Sequence, residues 1–272
     1  MAVRADIIGF EQRVEHEVTW RWALAYAASL GFGELADGLV PGPFCVCLEW
    51  PLVGGDARAA RCGLSGAERR RNVHVSQDST FHRPLRPGMR VVTTSRIAYG
   101  RATSAGAFLL TRLRTCEAET GDPLTTSWSG AVLRGVAFDG PVAAAMPDDA
   151  PATPDEVPAE GEGAAIPTAR GLPHVYSECA RIWNPIHTER PVALAAGVPD
   201  IVLHGTLTWA LAGAAVAGDV RRLRRLSARF GAQVIPGEAD ARHRAAAPGG
   251  VRFAAVAKSG ALALSRGWAE LG

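Results

Sequence analysis

The sequence has almost no lysine, no strong net charge and no long uninterrupted apolar run. Lys258 is the only lysine among the 272 residues, so arginine supplies nearly all of the positive charge. The formal net charge of +2 is close to balanced, and nothing in it calls for a nucleic-acid partner. With 47% hydrophobic and 21% charged residues, the composition is typical of a soluble globular protein.

Cysteine is scarce and is not arranged for pairing or for metal binding. The chain has five cysteines, an odd number, and none of their spacings is that of a zinc knuckle or a redox CxxC motif. Cys45 and Cys47 are predicted to lie on the same face of a strand. We therefore expect buried free thiols, no bound metal and a reducing, cytoplasmic compartment.

Targeting and membrane-spanning segments are also missing from the sequence. The first six residues contain no apolar core of a signal peptide. The most apolar stretch, residues 201–218, includes His204, three glycines and two threonines, and it is short for a membrane span. We expect a buried helix there and no membrane partner.

A proline-rich stretch divides the chain. Between Gly140 and Gly171, six prolines punctuate acidic and small residues, a composition that predicts an extended linker with no packed element. The predicted organisation is an N-terminal repeat over residues 1–140, a linker over 141–170 and a C-terminal repeat over 171–272. Each repeat has a reasonable size for one domain.

The two parts share a pattern that indicates duplication. Phe81 is followed by five residues and then Pro-Gly, and the same spacing follows Phe230. After each comes an alternating run, a Gly-centred hairpin and a closing strand with an aromatic residue. The hairpins lie at 120–122 and 259–261, and the aromatic residues are Trp128 and Trp268.

The pattern of apolar residues predicts an α+β fold. In the second half it predicts helices over 176–180, 191–196 and 203–217 and strands over 226–235, 251–257 and 261–269. In the first half it predicts a helix over 20–30 and strands over 44–48, 90–99, 107–117 and 125–132. The 203–217 helix is apolar on almost every side, so a curled antiparallel sheet must enclose it, which is the hot-dog arrangement.

The first half has no apolar helix between Pro51 and Phe81 to match the one at 203–217. We therefore predict a double hot-dog of tandem repeats, with two antiparallel sheets that wrap helices, in which the first repeat lacks a full central helix. A wider groove and a bulky acyl group, such as a polycyclic acid, would follow from that absence.

Residues 176–212 carry the most specific motif of the chain. They read YSECARIWNPIHTERPVALAAGVPDIVLHGTLTWALA. The segment resembles the MaoC-like, (R)-specific enoyl-CoA hydratase family, in which Asn-Pro-hydrophobic-His is followed by a His-Gly that opens the central helix. The matching positions are Asn184, Pro185, Ile186, His187, His204 and Gly205. One position departs: the family's catalytic Asp lies five residues before the His, where this chain has Ile182.

The resemblance and the residue chemistry together give a candidate site. His187 can act as a general base because imidazole titrates near neutrality. Gly205, at the N-terminus of the central helix, can offer its N–H to a thioester oxyanion. Asn184 orients water or caps the turn at Pro185. The residues predicted to bind substrate are His204, Trp183, Tyr176, Arg181 and Ile182, although a structural role is also open for His204 and Trp183.

Three functions remain open at this point. Hydration of an enoyl thioester needs an acid as well as a base, and with Ile182 in place the acid would come from His187 itself or from Glu178, Glu189 or His82. Hydrolysis needs only one base and an oxyanion hole, so a thioesterase ranks first, narrowly. The third possibility is a catalytically silent subunit that binds an acyl chain or a carrier protein.

The expected partner is an acyl-CoA or acyl-carrier-protein thioester, with no cofactor other than coenzyme A within the substrate. Two arginine clusters, 69–71 and 221–225, have the charge to meet coenzyme A phosphates, and a solvated surface is the alternative interpretation. We also expect a homodimer of double hot-dogs.

Overall fold

The computed structural model describes residues 2–140, 146–155, 162–166, 168–237 and 240–272. The first half begins with short elements and ends in long strands. Its elements are β1 (Ala2–Arg4), β2 (Glu11–Glu17), α1 (Trp20–Ser29), α2 (Cys45–Val53), α3 (Asp56–Arg61), α4 (Gly66–Arg69), β3 (Asn72–Phe81), β4 (Arg90–Thr103), β5 (Gly106–Glu117), β6 (Pro123–Arg134) and β7 (Ala137–Asp139).

The second half also begins with a strand, continues with helices and ends in four strands. Its elements are β8 (Glu162–Ile166), α5 (Leu172–Ala180), a 3-10 turn (Pro185–His187), α6 (Arg190–Ala195), α7 (Gly205–Ala217), β9 (Leu223–Phe230), β10 (Asp240–Ala247), β11 (Gly250–Val256) and β12 (Leu262–Leu271). The predicted α+β class is therefore confirmed.

The order of hydrogen-bonded strands repeats between the halves. The first five strands run β2-β4-β5-β6-β3 and the later five run β8-β10-β11-β12-β9, with antiparallel pairs throughout each series. The Pro-Gly turns repeat in detail as well. Gly88 and Gly237 have φ of +90° and +89°, where glycine meets no Cβ penalty. Their N–H groups donate to the carbonyls of Val18 and Thr168, at 2.7 and 2.6 Å.

By its internal contacts, the chain divides into two compact units. The first comprises Met1–Glu17, Leu48–Arg83 and Arg90–Ala152; the second comprises Val18–Cys47, Pro84–Met89 and Thr153–Gly272. Helix α1 therefore belongs with the second unit, although it comes early in the sequence. The predicted repeat boundaries at 140 and 171 stay predictions, because contiguous halves and compact units are different divisions.

Helix α7 forms the centre of the second unit. Its sequence has no polar face, and residues such as Leu207, Trp209 and Ala210 are fully buried against β9, β11 and β12. The helix begins after His204, whose backbone is extended, and ends at Gly218, which has φ of +68°. The predicted helix over 203–217 is confirmed to within two residues.

Three predictions about local structure were wrong. Residues 44–48 are not a strand: a 3-10 turn over Gly42–Phe44 leads into helix α2, so Cys45 and Cys47 are helical. A short, wholly apolar run does not distinguish a buried strand from a buried helix. Strand β8 lies within the predicted linker, which therefore does hold a packed element; its residues 141–145, 156–161 and 167 lie outside the described residues. The sequence analysis also missed further strands, namely β1, β2, β3, β7 and β10.

Polar residues on the inner face of the first unit explain why β2 and β3 were missed. The side-chain amides of Gln77 on β3 and Gln12 on β2 donate to the Glu49 carboxylate and to the Leu52 carbonyl, both on α2. Ser79 and Ser127 continue this face as a hydroxyl pair at 2.8 Å, both fully buried. Polar residues that point inward hide the alternation by which a half-buried strand is recognised.

The helices of the first half that begin after Pro51 are short, with six residues in α3 and four in α4, compared with thirteen in α7. All five cysteines are free thiols, three of them buried and two partly buried. Among the described residues, no helix has the length and apolar character needed to cross a bilayer.

The close contact of α7 with β9 gives a prediction about stability. A Cβ added at Gly213 would lie 2.5 Å from Cδ2 of Leu226. Gly213→Ala gains about 1 kcal/mol of helix propensity but loses about 1–3 kcal/mol to overpacking. We expect a net decrease in the free energy of unfolding, measured by denaturant titration.

Leu226→Ala provides the control, because it removes the atoms that the new methyl group would meet. In that background Gly213→Ala should raise the free energy of unfolding. Stabilisation of the protein by Gly213→Ala in both backgrounds would contradict the close contact.

Candidate active site

The Asn184–His187 turn follows directly from the end of α5. Arg181, with φ of +56°, ends the helix in the left-handed region, and the N–H of Ile182 then donates to the carbonyl of Ser177 at 3.1 Å. Asn184 caps the turn: its Oδ1 accepts from the N–H of Ile186 at 3.5 Å, and its carbonyl accepts from the N–H of His187 at 3.0 Å. The capping role predicted as an alternative for Asn184 is thus present.

The ring of His187 is fixed through one nitrogen and open at the other. Its Nδ1–H donates to the carbonyl of Val202 at 2.8 Å, which leaves Nε2 with its lone pair. No group in the described part of the chain hydrogen-bonds to Nε2. Burial lowers the pKa of His187 to about 4, against the smaller opposing effect of the Val202 bond. The imidazole is therefore neutral at pH 7, the form that a general base requires.

His204 joins this turn to the start of α7. Its ring stacks on that of His187, with centroids 3.7 Å apart and planes 24° from parallel. Its Nε2–H donates to the carbonyl of Ile182 at 3.1 Å and also lies 3.3 Å from Oγ of Ser177. Burial, and then the neighbouring His187, holds the pKa of His204 well below its usual range. These contacts favour the structural role for His204 over direct substrate binding.

Gly205 is exposed at the N-terminus of α7. The carbonyl of His204 accepts from the N–H groups of Leu207 and Thr208, so those of Gly205 and Thr206 remain for another acceptor. A Cβ at Gly205 would lie 3.3 Å from the ring of Phe230, so glycine also leaves room there. The N-terminus of a helix favours developing negative charge.

Tyr176 and Thr206 complete the cluster, and Thr206 was not foreseen from the sequence. Tyr176 is fully buried, with its ring 4.9 Å from that of His204. Its hydroxyl donates to Oγ1 of Thr206 at 3.1 Å. Burial raises the pKa of Tyr176 far above its usual range, so the phenol stays protonated. The position directly after His204-Gly205 was the sequence signal that could have identified Thr206.

Within the described part of the chain, neither Glu178 nor Glu189 hydrogen-bonds to the histidine pair in place of the acid that the family has at the position of Ile182. Ile182 is buried, and only its carbonyl takes part in the cluster. Glu178 is exposed and accepts from Nε1 of Trp183 at 3.2 Å, and Glu189 is exposed as well. His82 belongs to the first unit, where its Nε2 lies 2.9 Å from Oγ1 of Thr126.

Two residues predicted to bind substrate lie apart from the histidine pair. Trp183 is 59% exposed, and the guanidinium of Arg181 stacks 4.0 Å above the ring of Trp22. The structure therefore brings His187, His204, Tyr176, Ile182 and Gly205 together and places Trp183 and Arg181 at the surface. The roles assigned to all of them stay predictions.

Two members of the arginine clusters are already engaged in ion pairs. Arg221 pairs with Asp219 and Asp37, and these partners raise the pKa of Arg221 further. Arg69 pairs with Asp56. These pairs favour the surface interpretation for both arginines. Within the described ranges, no group of three or more His, Cys, Asp or Glu side chains is placed to hold a metal ion.

Two family models match the chain, one in each half. Residues 178–245 match the MaoC like domain, and residues 5–127 match the FAS1-like dehydratase domain region. The chain is also 28% identical over 174 residues to 3-hydroxyacyl-thioester dehydratase Y of Mycobacterium tuberculosis. That alignment covers 61% of this chain and 59% of the relative. Three fatty acid synthase beta subunits align over 5% or less of their own length.

Solved structures confirm the fold. A MaoC-like dehydratase from Phytophthora capsici superposes with a TM-score of 0.82 at 20% identity, covering 97% of this chain and 95% of that one. A double hot-dog protein from Mycobacterium tuberculosis has a TM-score of 0.58 at 15% identity, over 97% and 96% of the two chains. A 12:0-ACP thioesterase from Umbellularia californica has a TM-score of 0.61 at 11% identity, over 96% and 97%.

Structural similarity at 11–20% sequence identity shows the fold alone. It confirms the predicted double hot-dog fold and says nothing about activity. The similarity to named families comes from the two matched segments, each of which covers less than half of the chain. The MaoC like segment begins at residue 178 and includes Asn184, His187, His204 and Gly205. The chain therefore has the double hot-dog fold, and its segment 178–245 is similar to the MaoC like domain, the family that the motif around His187 resembles.

Proposed function

We propose that the chain is an acyl-thioester hydratase or dehydratase in which His187 is the only acid–base residue. The observation that carries this proposal is the state of the His187 ring. Its Nδ1 is occupied by the Val202 carbonyl, while Nε2 is open and unprotonated at neutral pH. The Gly205 N–H at the start of α7 supplies the complementary donor for a thioester oxygen.

A single imidazole can perform both proton transfers of dehydration. Nε2 of His187 takes the α-proton of a 3-hydroxyacyl thioester, and the Gly205 N–H stabilises the enolate oxygen that forms. The Nε2–H then returns that proton to the β-hydroxyl group. The Cβ–O bond breaks, the Cα–Cβ double bond forms and water leaves. Hydration of the enoyl thioester is the same sequence reversed.

The low pKa of His187 suits this route. An imidazolium whose pKa is about 4 is a stronger acid than an ordinary histidine, so it readily protonates a departing hydroxyl group. The same residue is a weaker base, which leaves the enolate oxygen in greater need of hydrogen-bond donors. One base that acts at both carbons also requires the proton and the hydroxyl to leave from the same face of the substrate.

The family matches support ranking hydration or dehydration above hydrolysis. On the sequence alone, hydrolysis had ranked narrowly first because Ile182 occupies the position of the family's acid. The one-base route removes that objection, and the relative with the longest alignment quoted above is named a 3-hydroxyacyl-thioester dehydratase. The acyl donor is proposed to be a coenzyme A or carrier-protein thioester with a bulky acyl group, and a cytoplasmic homodimer is proposed as the working form.

Thioester hydrolysis is the second candidate, because Ile182 leaves the site with one base. His187 would then activate water to attack the thioester carbonyl, the Gly205 N–H would stabilise the tetrahedral oxyanion, and the thiolate would leave. A silent acyl-binding subunit is the third candidate. It differs from both in predicting that replacement of His187 leaves function intact.

One pair of assays separates these candidates. A panel of 2-enoyl-CoA and 3-hydroxyacyl-CoA thioesters is incubated with the protein while enoyl absorbance and free thiol are followed in parallel. The proposal expects a change in enoyl absorbance without thiol release. Thiol release identifies the thioesterase, and tight binding with no change in either signal identifies the silent subunit.

Replacement of His187 tests the base directly. We expect His187→Gln to lower kcat for hydration by about 10²- to 10⁴-fold, the usual contribution of a general acid–base residue. His174→Gln is the matched control, since His174 is exposed and its Nε2 lies 3.1 Å from the Thr188 carbonyl. Equal rates for His187→Gln and His174→Gln, with both variants folded by circular dichroism, would exclude His187 as the base.

The lowered pKa of His187 also predicts the pH dependence of the rate. A base loses activity as the pH falls through its folded pKa, which is about 4 here and not 6.5. We expect kcat/KM for hydration to stay level between about pH 7 and pH 5, where Nε2 remains unprotonated. A fall centred near pH 6.5, with the protein folded throughout, would show that the base is not a desolvated histidine.

A further inference from the structure

In the hydrogen bond between Tyr176 and Thr206, the choice of donor determines what the Thr206 hydroxyl can do in the site. Tyr176 is fully buried, and its hydroxyl donates to Oγ1 of Thr206 at 3.1 Å. The ring of Tyr176 packs against the rings of His204 and Tyr26, at centroid distances of 4.9 and 5.9 Å, and this packing fixes the position of the hydroxyl oxygen beside Thr206. Thr206 therefore receives a hydrogen bond from a fixed donor and keeps its own hydroxyl proton to donate.

The Thr206 proton has no acceptor in the part of the chain that the structure describes. Thr206 is partly exposed and is the second residue of α7, next to the exposed Gly205. A threonine in a helix often donates to the carbonyl four residues earlier, which would be that of Val202. Here the Val202 carbonyl accepts from His187 at 2.8 Å, and within the described residues it accepts no hydrogen bond from Thr206. The hydroxyl thus remains available at the end of α7 where Gly205 offers its N–H.

We propose that Thr206 is a second donor to the thioester oxygen and a catalytic residue of this site, and that Tyr176 is the positioning residue that polarises it. This inference rests on the proposed function. With Ile182 in place of an acid, the one-base route builds up negative charge on the enolate oxygen. Without Thr206, the Gly205 N–H would be the single donor that stabilises this charge. A chain of hydrogen bonds from phenol to hydroxyl to oxyanion strengthens each link.

The alternative is that Thr206 only satisfies the buried phenol of Tyr176. The two roles differ in what each hydroxyl does to the reaction. If the pair is structural, removal of either hydroxyl changes stability and leaves the chemical step alone. If Thr206 touches the thioester oxygen, its removal lowers kcat, and Tyr176 contributes to kcat only while Thr206 is present.

A double-mutant cycle distinguishes these roles. Thr206→Val removes the hydroxyl at nearly constant shape, Thr206→Ser keeps it, and Tyr176→Phe keeps the ring that packs on His204. With crotonyl-CoA as the probe, we expect Thr206→Val to lower kcat by about 10²-fold with little change in KM, as for loss of one oxyanion donor. Thr206→Ser should retain most of the rate. Tyr176→Phe should cost less than about tenfold, the worth of one neutral hydrogen bond.

The combination of Tyr176→Phe with Thr206→Val should be no slower than Thr206→Val alone, because Tyr176 acts through Thr206. Wild-type kcat in Thr206→Val overturns the inference, as does an equal cost of Tyr176→Phe in both backgrounds. Thermal unfolding of each variant identifies any that fails to fold, and Thr206→Ser then still reports whether a hydroxyl at this position restores the rate.

A spectroscopic measurement makes the test independent of turnover. Butyryl-CoA labelled with ¹³C at the thioester carbonyl is a saturated probe that cannot be hydrated. In the wild type we expect its carbonyl stretch to move to lower frequency on binding, and in Thr206→Val to move less. An equal band shift in both proteins overturns the inference. A shift that depends on Thr206 in a protein without hydratase activity overturns the proposed function and retains the donor role.

Discussion

The hydrogen bond from His204 Nε2 to the Ile182 carbonyl is the contact on which the candidate site depends. It joins the turn after α5 to the N-terminus of α7, two segments separated by more than twenty residues in sequence. The stacked rings of His187 and His204 lie at this junction. Because α7 is enclosed by β9, β11 and β12, the junction has a rigid base, and Gly205 is held beside it.

Desolvation then decides the protonation state of both rings. A charged imidazole is costly away from water, and stacking two imidazoles adds repulsion if both are charged. Both histidines are therefore neutral, and each must donate through one nitrogen and keep a lone pair on the other. His204 donates through Nε2 and His187 through Nδ1. Because His187 donates through Nδ1, its Nε2 keeps the lone pair that a general base needs.

The sequence predicted the parts of the molecule in which one local rule dominates. Helix α7 is apolar on all sides, the 184–187 turn has its capping Asn and its Pro, and the long strands β4 to β6 alternate clearly. Strand β3 was missed because Gln77 and Ser79 point inward and bond to Glu49 and to each other, a pattern that only the packed α2 explains. Thr206 was missed for a similar reason, since its link to Tyr176 spans thirty residues.

Ile182 occupies the position at which the MaoC-like family has a carboxylate, and this difference does more than remove an acid. An anionic side chain beside the histidine pair would favour the protonated ring and raise the pKa of His187. A buried isoleucine does the reverse, because it excludes water and offers no charge in return. The backbone carbonyl at this position still accepts from His204, so the geometry of the turn is kept while its electrostatics change. The low pKa of His187 and, in the proposed one-base route, the need for neutral donors at the thioester oxygen both follow from an isoleucine at this position.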